Sequence, residues 1–462
     1  MDIRKLIKRG LLALVVVLFL VSSGRFAFGQ VEPKRHVVGA IDNFFSISIK
    51  YNVSVEDLKK ANPGITSPKP GDVLIIPTPN VATTPEKHIY KPNRPAGGDP
   101  FRIALMVPFY LEQLGDTSWR QKLETSSIPD IAPFRFVQFY HGFLMAADSL
   151  AKKGLNAEIY VYDVDQQVSK ARHAIADPEL KEMDLIVGPL LKGAFEEVAA
   201  FANDHHIPIV NPLSTRNDIL VNNPYVFKLS PSVESQPKLV ADLIRRDFID
   251  HNIIFYIPNR VQNTELIGRY SEAIEESIGK GRKEITVIDY ATDSIRGFQS
   301  HASTSRPNLV VIFSENEVLP AALLNKLNAM KSDYEMTVIG LPEWDKFTTI
   351  ELGYMMPLNA HVLMANYVDY RSDAIKGFVN AYRVKYYDEP LTYAFSGFDA
   401  GYYFMGALME FGKDFVNHTD EIRIPVIQNQ FHFKRAGNDG FDNLNWNILY
   451  YYDFSLFRKY SY

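Results

Sequence analysis

From residue 101 onward the chain alternates short apolar runs with amphipathic stretches, and this alternation is the feature that most limits what it can fold into. "FRIALMVPF", "AEIYVYD", "DLIVGPL" and "IPIVNPL" have the length and β-branched content of buried strands. Between them lie helical patterns such as "FVQFYHGFLMAADSLAKKG" and "LKGAFEEVAAFANDHH". A second set follows, with "NIIFYIP", "ITVIDY", "NLVVIFSE" and "MTVIGLPEW". Strand followed by helix, repeated, predicts parallel sheets with right-handed crossovers. Two sets in about 360 residues predict two lobes, with ligands in the crevice outside the carboxyl ends of the strands.

The N-terminus follows other rules. Arg4, Lys5, Lys8 and Arg9 precede an apolar run from Leu11 to Val21, and Ala27 and Gly29 supply small residues for cleavage. These are the three parts of a secretory signal over residues 1–29, and the run is shorter than a bilayer span. Cleavage after Gly29 leaves 44 Lys and Arg against 53 Asp and Glu, a charge of −9. An acidic, exported chain with no Lys/Arg-rich block beyond the signal does not fit nucleic acid or an anionic membrane as partner. The chain has no Cys, which excludes disulfides, thiolate metal sites and a lipidated N-terminal Cys.

Between these regions, "HVVGAI" reads as a strand and "NFFSISIKY" as a helix with Asp42 or Asn43 as its cap. "SVEDLKKAN" starts a second helix at Ser54, stopped by Asn62, Pro63 and Gly64, and "GDVLIIP" returns as a strand. Residues 78–100 hold five prolines and the pair Gly97-Gly98, with little apolar periodicity, and read as a semi-extended linker.

The βααβ order resembles a LysM domain over residues 36–77, a module that binds peptidoglycan and chitin. The family signature is met by Tyr51, Val53, Ser54, Leu58, Asn62, Pro63, Gly64, Pro70, Gly71, Ile76 and Pro77. The family's Gly-Asp-Thr-Leu turn falls on Ile41, Asp42, Asn43 and Phe44, without its Gly. The resemblance implies binding of peptidoglycan or a related N-acetylglucosamine glycan through Asp42, Asn43, Asn62, Gly64 and Ile65.

Within a domain read as residues 101–462, the order "DLIVGPLLKG", "IPIVNPLST", "YVFKLSPS", "VIGLPEW" and "FVNAYRVKYYDEPLTYAFSGFDAGYYF" resembles, over roughly residues 101–455, a type I periplasmic solute-binding protein of the leucine/isoleucine/valine-binding kind. The fold class implied for the chain is α/β: a small LysM module plus a bilobal domain with two parallel sheets. In that family two lobes close over a small ligand, and late helices, here near Ala374 and Ala394, return to the first lobe. The carboxylate-holding loop maps to Leu213, Ser214 and Thr215, and the ammonium-holding acid to Glu343. An aromatic position maps to Phe313 to Glu315. The hydroxyl residue expected after Gly188, Pro189 and Leu190 falls on Leu191 or Lys192, so the ligand-binding set comprises Leu190, Lys192, Leu213, Ser214, Thr215, Glu315 and Glu343. The loop 110–133 is an insertion. "FVQFYHGFLMAADSL" also resembles the first helix of the C-terminal domain in outer-membrane activators of penicillin-binding proteins, which suggests cell-wall enzymes as partners.

No HExxH, GxSxG, Walker loop or Cys nucleophile is present, and the adjacent His205 and His206 face different sides of a helix rather than one metal. The expectation is a non-catalytic envelope protein without cofactor or metal, binding an amino acid, peptide or wall fragment in its cleft. A protein-binding scaffold that regulates wall synthesis is the alternative, and a peptidoglycan hydrolase a third reading supported only by the LysM.

Overall fold

The computed structural model describes residues 34–39, 42–51, 53, 55–77, 87–92, 98–113, 132–281, 284–314, 316–341 and 344–461. The signal segment, Ser54, Glu315 and Glu343 lie outside the described residues. The chain divides into two compact units, Met1–Asn80 and Val81–Tyr462.

In the first unit β1 (Lys34–Val37) pairs antiparallel with β2 (Val73–Ile76), Lys34 opposite Ile76. The strand starts two residues earlier than the sequence pattern suggests. Helices α1 (Phe44–Tyr51) and α2 (Val55–Ala61) lie between the strands. Phe44 and Ile47 sit three apart on α1, and with Val38, Val53, Leu58, Leu74 and Ile76 they form the buried core. That core is small, so hydrogen bonds from its few buried polar side chains weigh heavily in its stability.

The second unit contains two lobes. The first lobe's sheet runs β14 (Phe433–Arg435), β15 (Phe441–Asn443), β8 (Val226–Lys228), β7 (Ile209–Asn211), β6 (Leu185–Val187), β4 (Phe101–Val107), β5 (Ala157–Asp163), β3 (Lys87–Tyr90). Its centre is parallel and both edges are antiparallel. The edge strand β3 corrects the linker reading. Within 78–100, "KHIY" pairs with β5, Lys87 opposite Tyr162, and the Tyr90 hydroxyl donates to Asp148 at 2.6 Å. Four residues among prolines are too few to show a period of two.

One face of this sheet packs on α4 (Val137–Ala151) and α13 (Thr392–Phe411), the other on α5 (Val168–Ile175) and α6 (Lys192–Asp204). The first two helices approach very closely. A Cβ on Gly142 would lie 1.9 Å from the Ala394 carbonyl, and one on Gly397 would lie 2.0 Å from that of Phe139. Helix α3 (Ala132–Arg135) precedes α4, and α12 (Asp373–Tyr386) packs on α13 through Phe378, Tyr382 and Phe395.

The second lobe's sheet runs β10 (Ile285–Asp289), β9 (Asn252–Ile257), β11 (Asn308–Phe313), β12 (Met336–Leu341), β13 (His361–Met364), β16 (Asn447–Tyr452), β17 (Ser455–Ser461). Its first five strands are parallel, and the last two form a hairpin turning at Asp453 and Phe454, both at positive φ. Helices α7 (Gln236–Asp247) and α8 (Thr264–Ile278) cover one face, α9 (Tyr290–His301) and α10 (Val318–Ala329) the other.

The chain crosses between lobes after β8, after β13 and after β15. The first crossing leads into α7, which runs back to the start of β9. The third leads into Asn447, which pairs with Met364 at the end of β13. The first and third therefore join carboxyl end to carboxyl end, which turns the ends of both sheets towards one another.

Candidate ligand-binding site

In the LysM unit the loop residues divide into two kinds. Asn62 is buried, donating through Nδ2 to the carbonyls of Leu58 (2.7 Å) and Ile75 (2.8 Å) and accepting from the Ile75 amide at 2.7 Å. It latches α2 to β2. Asp42 accepts from the Gly39 amide and from His36 Nε2, both at 2.8 Å, and His36 Nδ1 meets the Tyr51 hydroxyl at 3.0 Å. The Gly39 amide and His36 hold the Asp42 carboxyl below its ordinary range. Asn43 and Gly64 are exposed, Gly64 at a φ of 102° that favours glycine, and Ile65 is half-buried against the core. Asn62 and Asp42 thus use their polar atoms within the protein; Gly64 is exposed, and Asn43 is exposed with a partner of its own.

At the carboxyl end of lobe 1 the loop after β4 is held by Asp163, the last residue of β5. Its Oδ1 accepts from the amides of Phe109 (2.8 Å) and Tyr110 (3.0 Å), and its Oδ2 from Leu111 (3.0 Å). Tyr110 has a φ of 51°, a left-handed conformation that such a clamp maintains. From α5, Lys170 reaches Glu112 at 2.7 Å, Asp165 at 3.0 Å and Asp163 at 3.2 Å. Burial alone lowers the Lys170 pKa, but Asp165, Asp163 and Glu112 outweigh it and hold the ammonium charged above its ordinary range. Burial raises Glu112 in spite of Lys170. This cluster fixes the start of the insertion.

The predicted donors after β6 and β7 are already engaged. Asn211, ending β7, accepts through Oδ1 from the amides of Leu213 (3.0 Å) and Ser214 (2.8 Å). The Ser214 hydroxyl accepts from the Arg216 amide at 3.2 Å. Thr215 is exposed. Leu190 is 3% exposed and belongs to the core beneath α4 and α13, so it faces away from the crevice. Lys192 opens α6 in solvent and pairs with Asp218 at 3.1 Å and Glu196 at 3.6 Å. These placements leave no uncommitted amide pair of the kind the resemblance implied at Leu213 and Ser214. In lobe 2, Phe313 is buried in the core and the Ser314 hydroxyl donates to the Asn316 carbonyl at 2.5 Å.

The crossings are tied by side chains that sequence reasoning missed. Asp399, fully buried in α13, accepts from the amides of Ile427 (2.8 Å), Gln428 (3.0 Å) and Asn429 (3.0 Å). Burial pushes its carboxyl up to about 7 against the pull of those amides. Lys228, 0% exposed at the end of β8, pairs with Asp442 of β15 at 2.7 Å and donates to the Ser230 carbonyl at 2.7 Å. Trp446 Nε1 donates to Ser235 Oγ at 2.8 Å, linking the first and third crossings. A charged residue inside an apolar run was the available signal: Lys228 in "VFKLS", Asp399 in "SGFDAGYYF", Asp163 closing "AEIYVYD".

A family model for periplasmic binding proteins matches residues 136–420, more than half the chain. The chain belongs to the periplasmic binding protein family. A LysM model matches residues 36–77, so this periplasmic binding protein carries a LysM domain ahead of its bilobal domain. A crystal structure from Rhodospirillum rubrum, provisionally named a branched-chain amino acid ABC transporter, aligns with a TM-score of 0.55 at 15% identity. It covers 78% of this chain and 99% of that one. An ABC transporter substrate-binding protein from Desulfitobacterium hafniense aligns at 0.48 with 14% identity, over 78% and 100% of the two chains. A periplasmic ligand-binding protein from Burkholderia xenovorans also scores 0.48, at 13% identity over 78% and 95%. The Rhodospirillum likeness is one of fold. No curated protein sequence matches the chain. Family membership supports an exported, periplasmic protein of a ligand-binding family.

Proposed function

We propose that this protein is an exported, non-catalytic binding protein held on peptidoglycan by its LysM domain, with a bilobal domain that closes over a small ligand. The observation that supports this reading is the connection of the lobes: the first and third crossings join carboxyl end to carboxyl end, so the loops after the strands of both sheets border one crevice. Ligand contacts to both sets of loops then favour a closed state over an open one. The ligand is a peptide or wall fragment rather than a free amino acid, because Asn211 already uses the Leu213 and Ser214 amides and Lys192 is neutralised by Asp218 and Glu196. Glu343 and Glu315 remain proposed contacts from lobe 2, and Asn43, Gly64 and Ile65 the proposed glycan contacts. Residues 1–29 act as the cleaved signal.

The same engagement of donors favours a second reading, a scaffold that binds wall-synthesis enzymes through the bilobal domain. Thermal denaturation of the mature chain against amino acids, peptides and muropeptides tests the first reading, since a ligand at a hundred times its Kd adds about 2.7 kcal/mol. A midpoint rise with muropeptides but not amino acids is the expected result. No rise with any compound, together with capture of a purified wall synthase, transfers the conclusion to the scaffold.

A further inference from the structure

We propose that lobe 1 carries a second binding site, in the cavity between α3, the start of α4 and the α12–α13 turn, and that it takes a small hydrophobic amine. The cavity holds about 580 Å³ and is lined by lobe 1 residues alone, among them Val137, Gln138, His141, Asp388, Leu391 and Tyr393. This volume is within the range of small-ligand sites.

The walls are preformed. Gln138 Nε2 donates to Asp388 Oδ2 at 3.0 Å and to the Glu389 carbonyl at 2.8 Å, while its Oε1 accepts from the Leu391 amide at 2.7 Å. One side chain thus fixes the whole turn against α4. His141 stacks on Tyr386 with ring centroids 3.8 Å apart and planes 7° from parallel, and its Nδ1 meets the Tyr382 hydroxyl at 3.1 Å. Burial lowers His141 to about 4, against the influence of Asp388, so the imidazole is neutral at envelope pH and completes a flat, weakly polar wall. Phe134, Val137, Leu391 and Tyr393 supply apolar surface.

The charges at the rim select the ligand's polar end. Arg383 binds Glu389 through two bonds, at 2.7 and 3.0 Å, so that pair is neutral. Lys385 is paired with Asp148 at 2.6 Å, and Arg135 lines the α3 side of the cavity with a partner of its own. Asp388 receives only neutral donors, Gln138 Nε2 and the Glu389 amide at 2.8 Å, and has no cation beside it among the described residues. A carboxylate has about four acceptor positions, so two bonds leave room for an ammonium group. An apolar or aromatic body in the cavity with an amine against Asp388 satisfies both features. A carboxylate in the same place meets a like charge.

The probes are tryptamine and its anionic counterpart indole-3-propionate, titrated calorimetrically into the mature full-length chain. The proposal expects saturable tryptamine binding, weaker or no binding of the acid, and a loss of about fivefold in tryptamine affinity in Asp388→Asn. Val137→Trp fills the cavity and abolishes binding. Leu391→Trp, at a side chain already 46% exposed, blocks the mouth without burden on folding and gives the same loss. Equal binding of amine and acid, or undiminished tryptamine binding in both Trp variants, overturns it. Neither Trp variant alters the muropeptide response of the crevice, so the two sites fail or succeed separately.

Discussion

The carboxyl ends of the two sheets face each other, yet they are built differently. Lobe 1 is held by buried charge: Lys170 among Glu112, Asp163 and Asp165, and Lys228 against Asp442. At the carboxyl end of lobe 2 the acids bond backbone amides instead. Asp289 accepts from the Ala291 amide at 2.9 Å at the start of α9, and Glu317 accepts from the amides of Thr348 (2.8 Å) and Thr349 (2.9 Å) in solvent. Buried ions are costly to separate and exposed ones are not. Lobe 1 is therefore the rigid wall of the crevice, and lobe 2 the wall that tolerates change.

Breaking the charge cluster gives the largest effect. Lys170→Met leaves three carboxylates facing one another and is expected to cost about 3–5 kcal/mol, read as a lowered denaturant midpoint. A loss comparable to that of a surface lysine contradicts the contrast between lobes.

Next comes pH. Burial, reinforced by Lys459, lowers His361 in lobe 2 to about 4. Its folded pKa lies below its unfolded value of about 6.5, so its contribution is present above pH 6.5 and is lost as pH falls towards 4. The size is on the order of 3 kcal/mol. Asp399 acts in the opposite direction, its raised pKa contributing stability at low pH that is lost as pH rises through 7. The difference between wild type and His361→Gln isolates the histidine: the variant's stability falls less between pH 6.5 and 4. Parallel curves exclude a buried neutral His361.

Asn211→Ala comes third, costing about 1 kcal/mol for the lost turn. It frees the Leu213 and Ser214 amides, so amino-acid binding measured by calorimetry rises rather than falls. A fall shows that Asn211 itself contacts the ligand. The smallest effect is at Glu317→Gln, where exposed acceptors are replaced by an amide and the melting midpoint stays within scatter.

The strand–helix alternation made both parallel sheets legible, because buried parallel strands are apolar on both faces and stand out as short continuous runs. Eight quoted runs each contain a strand at the expected place. The short strands β3 and β13 did not, since four residues carry too little pattern. The late helices begin at Asp373 and Thr392, within two residues of the expected starts. The site was less readable. Whether Asn62, Asn211 or Asp42 faces a ligand or its own backbone depends on bonds of about 3 Å between residues far apart in the chain, or on a local turn that sequence shows only as a capable residue. Leu190 follows a motif that resembles the family's, but its side chain turns into the core.

Small-angle scattering of the mature chain with and without a saturating muropeptide tests the central claim most directly. Closure of the lobes over the ligand predicts a reproducible fall in radius of gyration with muropeptide and none with leucine. An unchanged radius with muropeptide, or compaction by leucine alone, contradicts the account.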